Sequence, residues 1–238
     1  MRTAKTVLTV IQERGKQKKP IERVYKLLFN RELYLNAYAK LYPNNGAMTK
    51  GVTDETVDGM SIQKIDRMIE ILREEKYQWK PARREYIKKK NGKKRPLGIP
   101  VWGDKVLQEV MRQILEAYYE PQFSEHSHGF RPNRGCHTAL QEIQVWKGTR
   151  WFIEGDISQY FDTIDHKILL EILARNIHDG RFIRLISNML EAGYLEEWKF
   201  NQTISGVPQG GVISPILANI YLNEFDNWIE EVLIPKYT

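Results

Sequence analysis

The chain has 238 residues, 42% of them hydrophobic, which suffices for one large or two smaller globular domains with a buried core. Its 36 Lys and Arg against 30 Asp and Glu leave a net charge of +6 and a sequence pI near 9.2, a balance that favours a polyanionic partner. A single Cys136 excludes an internal disulfide, a thiolate zinc site and a CxxC redox pair, which fits a reducing bacterial or organellar interior such as the cytoplasm. Residues 1–20 mix a short apolar stretch with Thr, Gln and Glu before a basic run, so no secretion signal is expected. Residues 214–234 are interrupted by Asn219, Asn223, Glu224, Asp226 and Asn227, well short of the roughly 20 apolar residues of a membrane span, and no membrane partner is expected.

In chain order, the spacing predicts helices over 3–13 and 20–42, packed on each other, the second with Ile21, Val24, Leu27, Leu28, Leu35 and Tyr38 at three- and four-residue intervals. A Gly-, Asn- and Thr-rich loop follows at 43–57. A third helix over 61–76 carries Ile62, Ile65, Met68, Ile69 and Leu72 on one face, with Ser61 as its N-cap. Residues 84–100 read as two short strands around Asn91-Gly92, the dipeptide that best marks a tight hairpin. A helix over 104–120, an irregular stretch at 121–134 and a helix over 136–147 come next. The apolar run Trp151, Phe152, Ile153, ending in Glu154-Gly155-Asp156, reads as a buried strand. Helices over 166–175, capped by Asp165, and 181–192 precede a hairpin at 197–206 and a last helix from Pro215 to Glu231. Trp146 and Trp151 are expected in the core, and Tyr118, Tyr119 and Phe123 as buried aromatics rather than base-stacking platforms. His126 and His128 beside Glu125 lack the further ligands of a zinc site.

Three constellations carry chemistry. The run DISQYFD at 156–162 places a carboxylate at a strand end, followed by an aromatic and a second acid. Two-metal nucleotidyl transfer needs carboxylates held on a rigid strand to neutralise a magnesium triphosphate, and Asp156 suits one such ligand. Phe161 beneath a sugar ring would exclude a 2′-hydroxyl by volume. The structural alternative has Asp156 ending a strand, Phe161 in the core and Asp162 capping a turn. An EF-hand is excluded, because its sixth position holds Phe161 rather than Gly and its twelfth Lys167 rather than Glu. The second constellation, GVPQGGVISP at 206–215, is a glycine turn into a helix; Gln209 can bond a base or sugar, or the loop is simply capped by Ser214 with Pro215 opening the helix. The third is the hairpin KKKNGKKR at 88–95, whose six positive charges suit a triphosphate or form a solvated face.

RPLGIP at 95–100, SHGFRP at 127–132, the run from Gly155-Asp156 to His166, and residues 206–222 fall in sequence and resemble the first four core blocks of group II intron reverse transcriptases. NGAMTKGV at 45–52 resembles the N-terminal extension loop of that family, and the similarity spans about residues 20–235. The resemblance implies an α+β fold, the fingers and partial palm of a right-hand polymerase, helix-rich with a basic β-hairpin. Residues 1–125 would be the N-terminal extension and fingers, and 126–238 the rest of the fingers and the partial palm. It implies Asp156 as first ligand of a two-metal Mg²⁺ site, with the Ile157 carbonyl also touching metal, and Phe161 as the gate against ribonucleotides. Lys89 and Arg95 would contact the triphosphate, Lys88, Lys90 and Lys93 being near enough to substitute for Lys89, while Gln209 and Gly210 line the nucleotide site. Asn45, Gly46, Thr49, Phe130, Arg131 and Pro132 would hold the template, although Arg131 reads equally as an ordinary turn residue. The implied partners are intron RNA, as template and splicing partner, a DNA primer and dNTPs.

The family's Tyr-x-Asp-Asp hairpin follows soon after its fourth block, yet these 238 residues contain no Asp-Asp pair. The expectation is a chain cut before that motif, the thumb and the maturase domain, lacking two of three metal carboxylates and unable to synthesise DNA alone. Three alternatives stand beside it. One is a non-catalytic RNA-binding maturase module. Another is self-association into a homodimer through Ile216, Leu217, Ile220, Tyr221 and Trp228 left uncovered. The third is a retron, diversity-generating or CRISPR-associated reverse transcriptase, which shares the core blocks.

Overall fold

The computed structural model describes residues 2–88, 92, 94–207 and 210–237. Helix α1 (Ala4–Lys16) starts where the Thr3 hydroxyl accepts from the Thr6 amide. The single helix expected over 20–42 is instead three pieces: a two-residue strand β1 (Ile21–Glu22), a 3₁₀ segment at 24–29, and α2 (Arg31–Leu41). Arg23 is left-handed at φ 55°, and the Asn30 side chain accepts from the Glu32 amide. Asn competes with the helical backbone for hydrogen bonds, so it ends one segment and caps the next. Helix α3 (Ile62–Arg73), capped by Ser61, buries Ile65, Ile69 and Leu72 but leaves Ile62 exposed. The basic hairpin forms as expected from β2 (Ala82–Lys88) and β3 (Lys94–Ile99), with Arg83 opposite Ile99 and Lys88 opposite Lys94.

Helix α4 (Trp102–Tyr119) is the spine of the core. Val106, Leu107, Val110, Met111, Ile114 and Leu115 are wholly buried on it, each contributing about 1.5–3 kcal/mol of hydrophobic stabilisation. Helices α1 and α2 both pack on α4, where the sequence pattern had them on each other. Gly15 makes the closest approach: a Cβ there would lie 2.1 Å from the Tyr118 carbonyl oxygen, so no larger residue fits without moving the helices apart.

Beyond α4 come α5 (Cys136–Gln144), a single turn α6 (Tyr160–Thr163), α7 (His166–Asn176) capped by Asp165, β4 (Ile177–His178) and α8 (Gly180–Leu190) capped by Asp179. The hairpin expected at 197–206 is shorter and earlier, formed by β5 (Tyr194–Glu196) and β6 (Lys199–Asn201). Helix α9 (Ser214–Trp228) runs through a π turn at 229–233 into α10 (Ile234–Tyr237). Ser214 is its first helical residue, and Ile213 precedes it without a side-chain cap. A four-stranded sheet has the order β3-β2-β5-β6, with β2 parallel to β5, and β1 pairs in parallel with β4. The fold is therefore α+β and helix-rich. Among the described residues, no helix is long and apolar enough to cross a membrane.

Two further expectations fail. Residues 151–156 form no strand, and Trp151 and Ile153 are 87% and 94% exposed. A strand satisfies half its backbone groups through a neighbour, and none of the described strands lies beside this run, so apolar character alone does not order it. Trp146 and Trp151 are thus surface residues, Trp146 packing on Phe152 outside the core. The patch expected to pair two copies is mostly covered as well. Ile216, Leu217 and Ile220 are buried on α9, which packs against α4 and α7, and Tyr221 is half-buried beside Tyr160. Trp228 is exposed and stacks on Phe225.

Candidate active site

The glycine-rich stretch described at 205–207 and 210–212, called the glycine turn below, is the joint around which the site is built. Val207 donates its amide to the Phe161 carbonyl at 2.7 Å, Gly206 donates to Ile164 at 2.8 Å, and His166 Nε2 donates to the Gly206 carbonyl at 2.6 Å. The Ser205 hydroxyl donates to the Asp162 carbonyl at 3.1 Å. Gly206 has φ +86°, and a Cβ there would fall 2.7 Å from the Phe161 oxygen, so this position admits only glycine. Further along, Gly210 at φ +102° faces the basic hairpin, where a Cβ would meet Leu97 Cδ1 at 2.7 Å. Val212 donates its amide to Gln108 Oε1 at 2.9 Å, which fixes the end of the turn to α4.

These contacts bring three separated stretches around one cavity of about 210 Å³. Asn44, Gly46, Ala47 and Thr49 form one wall, Leu97 to Pro100 a second, and Gly210 with Val212 a third. Lys105 holds the first wall in place, donating to the carbonyls of Gly46 (3.2 Å) and Thr49 (3.0 Å). Burial, and then the nearby Arg83 charge, push the Lys105 ammonium pKa below its ordinary value. Arg95 is exposed two residues along from Leu97, and strand alternation gives both the same face of β3. Lys89 and Gln209, chosen from sequence for triphosphate and nucleotide contacts, lie outside the described residues, as do Lys90 and Lys93. Asn45 is exposed on the loop beside the cavity rather than in its wall.

Phe161 is half-buried and meets Phe130 edge to face at 6.2 Å, so the candidate gate and one candidate template residue touch. Phe130 is 70% exposed in a left-handed backbone (φ 57°), and Pro132 beside it is exposed. Arg131 points the other way. Its five N–H groups are spent on Glu120 (carboxylate and carbonyl) and on the carbonyls of Ser124 and Ser127, with the guanidinium over the Phe123 ring. None is left for a template phosphate without breaking the turn, so the structure places Arg131 as the lock of that turn.

Asp156 and Ile157 are exposed and line a different cavity of about 860 Å³ with Tyr160, Tyr221, Phe225 and Asp226. Burial, and then the Glu230 charge, raise the Asp226 pKa, which favours its neutral form. Among the described residues, no group of three His, Cys, Asp or Glu side chains is arranged to hold a metal ion. The described residues therefore do not fit a complete two-metal Mg²⁺ centre, the cavity at Asp156 holding one further carboxyl, that of Asp226. Sequence reasoning missed Lys105, Gln108 and His166. The first two had a signal, because they are polar residues embedded in the apolar stripe of α4.

The family model described as reverse transcriptase (RNA-dependent DNA polymerase) matches residues 87–237. Group II intron-encoded protein LtrA of Lactococcus lactis subsp. cremoris is 51% identical over 209 residues, covering 87% of this chain and 35% of its own length. An uncharacterized 91 kDa protein in the cob intron of Schizosaccharomyces pombe is 47% identical over 237 residues, covering 96% of this chain and 29% of its own length. The chain thus spans about a third of the length of these curated relatives. A solved chain of a partial Cas6-RT-Cas1–Cas2 complex superposes with a TM-score of 0.57 over 87% of this chain and 35% of that one, at 21% identity, a likeness of fold alone. With the motifs in order and the glycine turn seated between hairpin and loop, the chain belongs to the reverse transcriptase family, among the group II intron-encoded proteins.

Proposed function

We propose that this chain supplies the fingers (1–125) and the remaining fingers with the opening of the palm (126–238) of an RNA-directed DNA polymerase encoded by a group II intron. Intron RNA serves as template and splicing partner, with a DNA primer and dNTPs as the other substrates. The observation that carries the reading is the seat of Gly210 against Leu97, which puts the glycine turn, the basic hairpin and the 44–49 loop around one cavity. In this reading Arg95 and Lys89 take the triphosphate, Gln209 and Gly210 line the nucleotide, and Phe161 rejects the 2′-hydroxyl. Asn45, Gly46, Thr49, Phe130 and Pro132 border the template. Asp156 and the Ile157 carbonyl are this chain's contribution to a magnesium site, and one carboxylate is too few to hold two ions.

The 238 residues by themselves therefore hold RNA and do not copy it. Primer extension on an RNA template with Mg²⁺ and dNTPs tests this: no product is expected from this polypeptide. Product that disappears in Asp156→Ala would overturn the inactivity of the isolated chain.

A further inference from the structure

The two faces of the four-stranded sheet differ in chemistry. The face carrying Leu97 turns to Gly210, and Arg83 on that face donates to the Lys50 carbonyl beside the 44–49 loop. Register and alternation put Arg84, Tyr86, Lys88, Lys94, Tyr194 and Lys199 on the opposite face, together with Glu196. Here cations and rings interleave. The Arg84 guanidinium lies 3.7 Å from the Tyr194 ring centroid, and Lys94 lies 5.9 Å from that of Tyr86. Glu196 is engaged by the Tyr86 hydroxyl.

At the end of this face, Glu197 and Trp198 form the two-residue turn between β5 and β6, both with positive φ (48° and 66°). That turn ordinarily takes Asn-Gly, because side chains at positive φ are strained. The strain presents an indole that is 96% exposed. Fully exposed Trp on a strained turn buries nothing within the fold, and backbone strain of this kind gathers where a ligand is met.

We propose that this outer face binds single-stranded nucleic acid, Trp198 stacking on an unpaired base while Lys88, Lys94 and Lys199 take backbone phosphates. The four cations against Glu196 and Glu197 leave the face positive, which selects a polyanion, and stacking selects strands whose bases are free. The site is separate from the cavity at Gly210 and rests on the reading of the chain as a nucleic-acid-binding protein.

Fluorescence anisotropy with labelled oligo(U), oligo(dT) and a blunt duplex, each of about 12 nucleotides, tests it. Trp198→Ala is expected to weaken binding of the single strands about fivefold or more, Trp198→Phe to keep it within about twofold, and the duplex to be indifferent to both. Loss for oligo(U) alone names RNA as the strand held, loss for oligo(dT) alone names DNA, and either supports the site. Lys94→Gln and Lys199→Gln should each flatten the salt dependence by about 0.7 in the log–log slope. Equal loss for duplex and single strands, or single-strand binding by Trp198→Ala within about twofold of the unaltered chain, overturns the proposal. So does a Trp198→Ala chain altered only in self-association on sedimentation, which would make the turn a protein contact. Absence of binding to all three probes by the unaltered chain would instead bring down the underlying reading together with the site.

Discussion

The Val207 amide and the Phe161 carbonyl, 46 residues apart in sequence, are joined by a 2.7 Å hydrogen bond that ties the glycine turn to the candidate sugar gate. Gly206 makes this possible, because its φ of +86° and missing Cβ let the turn lie against 161–162. Gly206→Ala puts a methyl 2.7 Å from the Phe161 oxygen and 2.8 Å from Asp162 Cα, both backbone atoms that cannot swing aside. Positive-φ strain and overpacking together should cost about 2–4 kcal/mol, read as a lower urea midpoint. An unchanged midpoint would mean that the turn is not held this way.

Arg131 offers a clean contrast between a structural and a substrate-binding role. Its guanidinium is nearly enclosed and ion-paired with Glu120 at 3.0 Å. Arg131→Ala leaves Glu120 and the carbonyls of Ser124 and Ser127 without their donor, and about 3–5 kcal/mol of stability should be lost. A phosphate contact would behave differently: stability would stay put and the salt slope of RNA binding would drop by about 1.

Asp104 gives the fold a pH signature. Burial raises its carboxyl from 3.8 to about 6, although the Tyr77 hydroxyl and the Lys80 amide donate to it at 2.6 and 3.0 Å. The folded chain then binds this proton more tightly than the unfolded chain does, so the Asp104 contribution falls as pH rises from about 4 to 6 and is level above. Asp104→Asn removes the titration. The stability difference between the two chains should change by about 3 kcal/mol across that window, measured by urea unfolding at a series of pH values. A pH-independent difference would show that the carboxyl titrates normally.

Much of this was legible because it is local. Ser61, Asp165 and Asp179 announce helix starts, and Asn91-Gly92 announces the hairpin. The misses are non-local. Whether Trp151, Phe152 and Ile153 form a strand depends on a neighbour that their own sequence does not specify, and whether Arg131 meets a phosphate or Glu120 depends on how the chain turns back on itself. The break at Arg23 was equally hidden, since β1 forms only by pairing with residues near 177. At the site, the motifs named stretches that the fold brings to one cavity, but Lys105 and Gln108 emerged only once α4 was seen to hold the 44–49 loop and the glycine turn together.

The central claim, that these 238 residues form a nucleic-acid-holding part of a reverse transcriptase, is tested most directly by their affinity for structured RNA as a function of salt. Each phosphate neutralised by Lys or Arg releases counterions, so the logarithm of affinity should fall linearly with the logarithm of salt concentration, and Arg95→Ala should make that line shallower. Binding that is absent, or indifferent to salt, would contradict it.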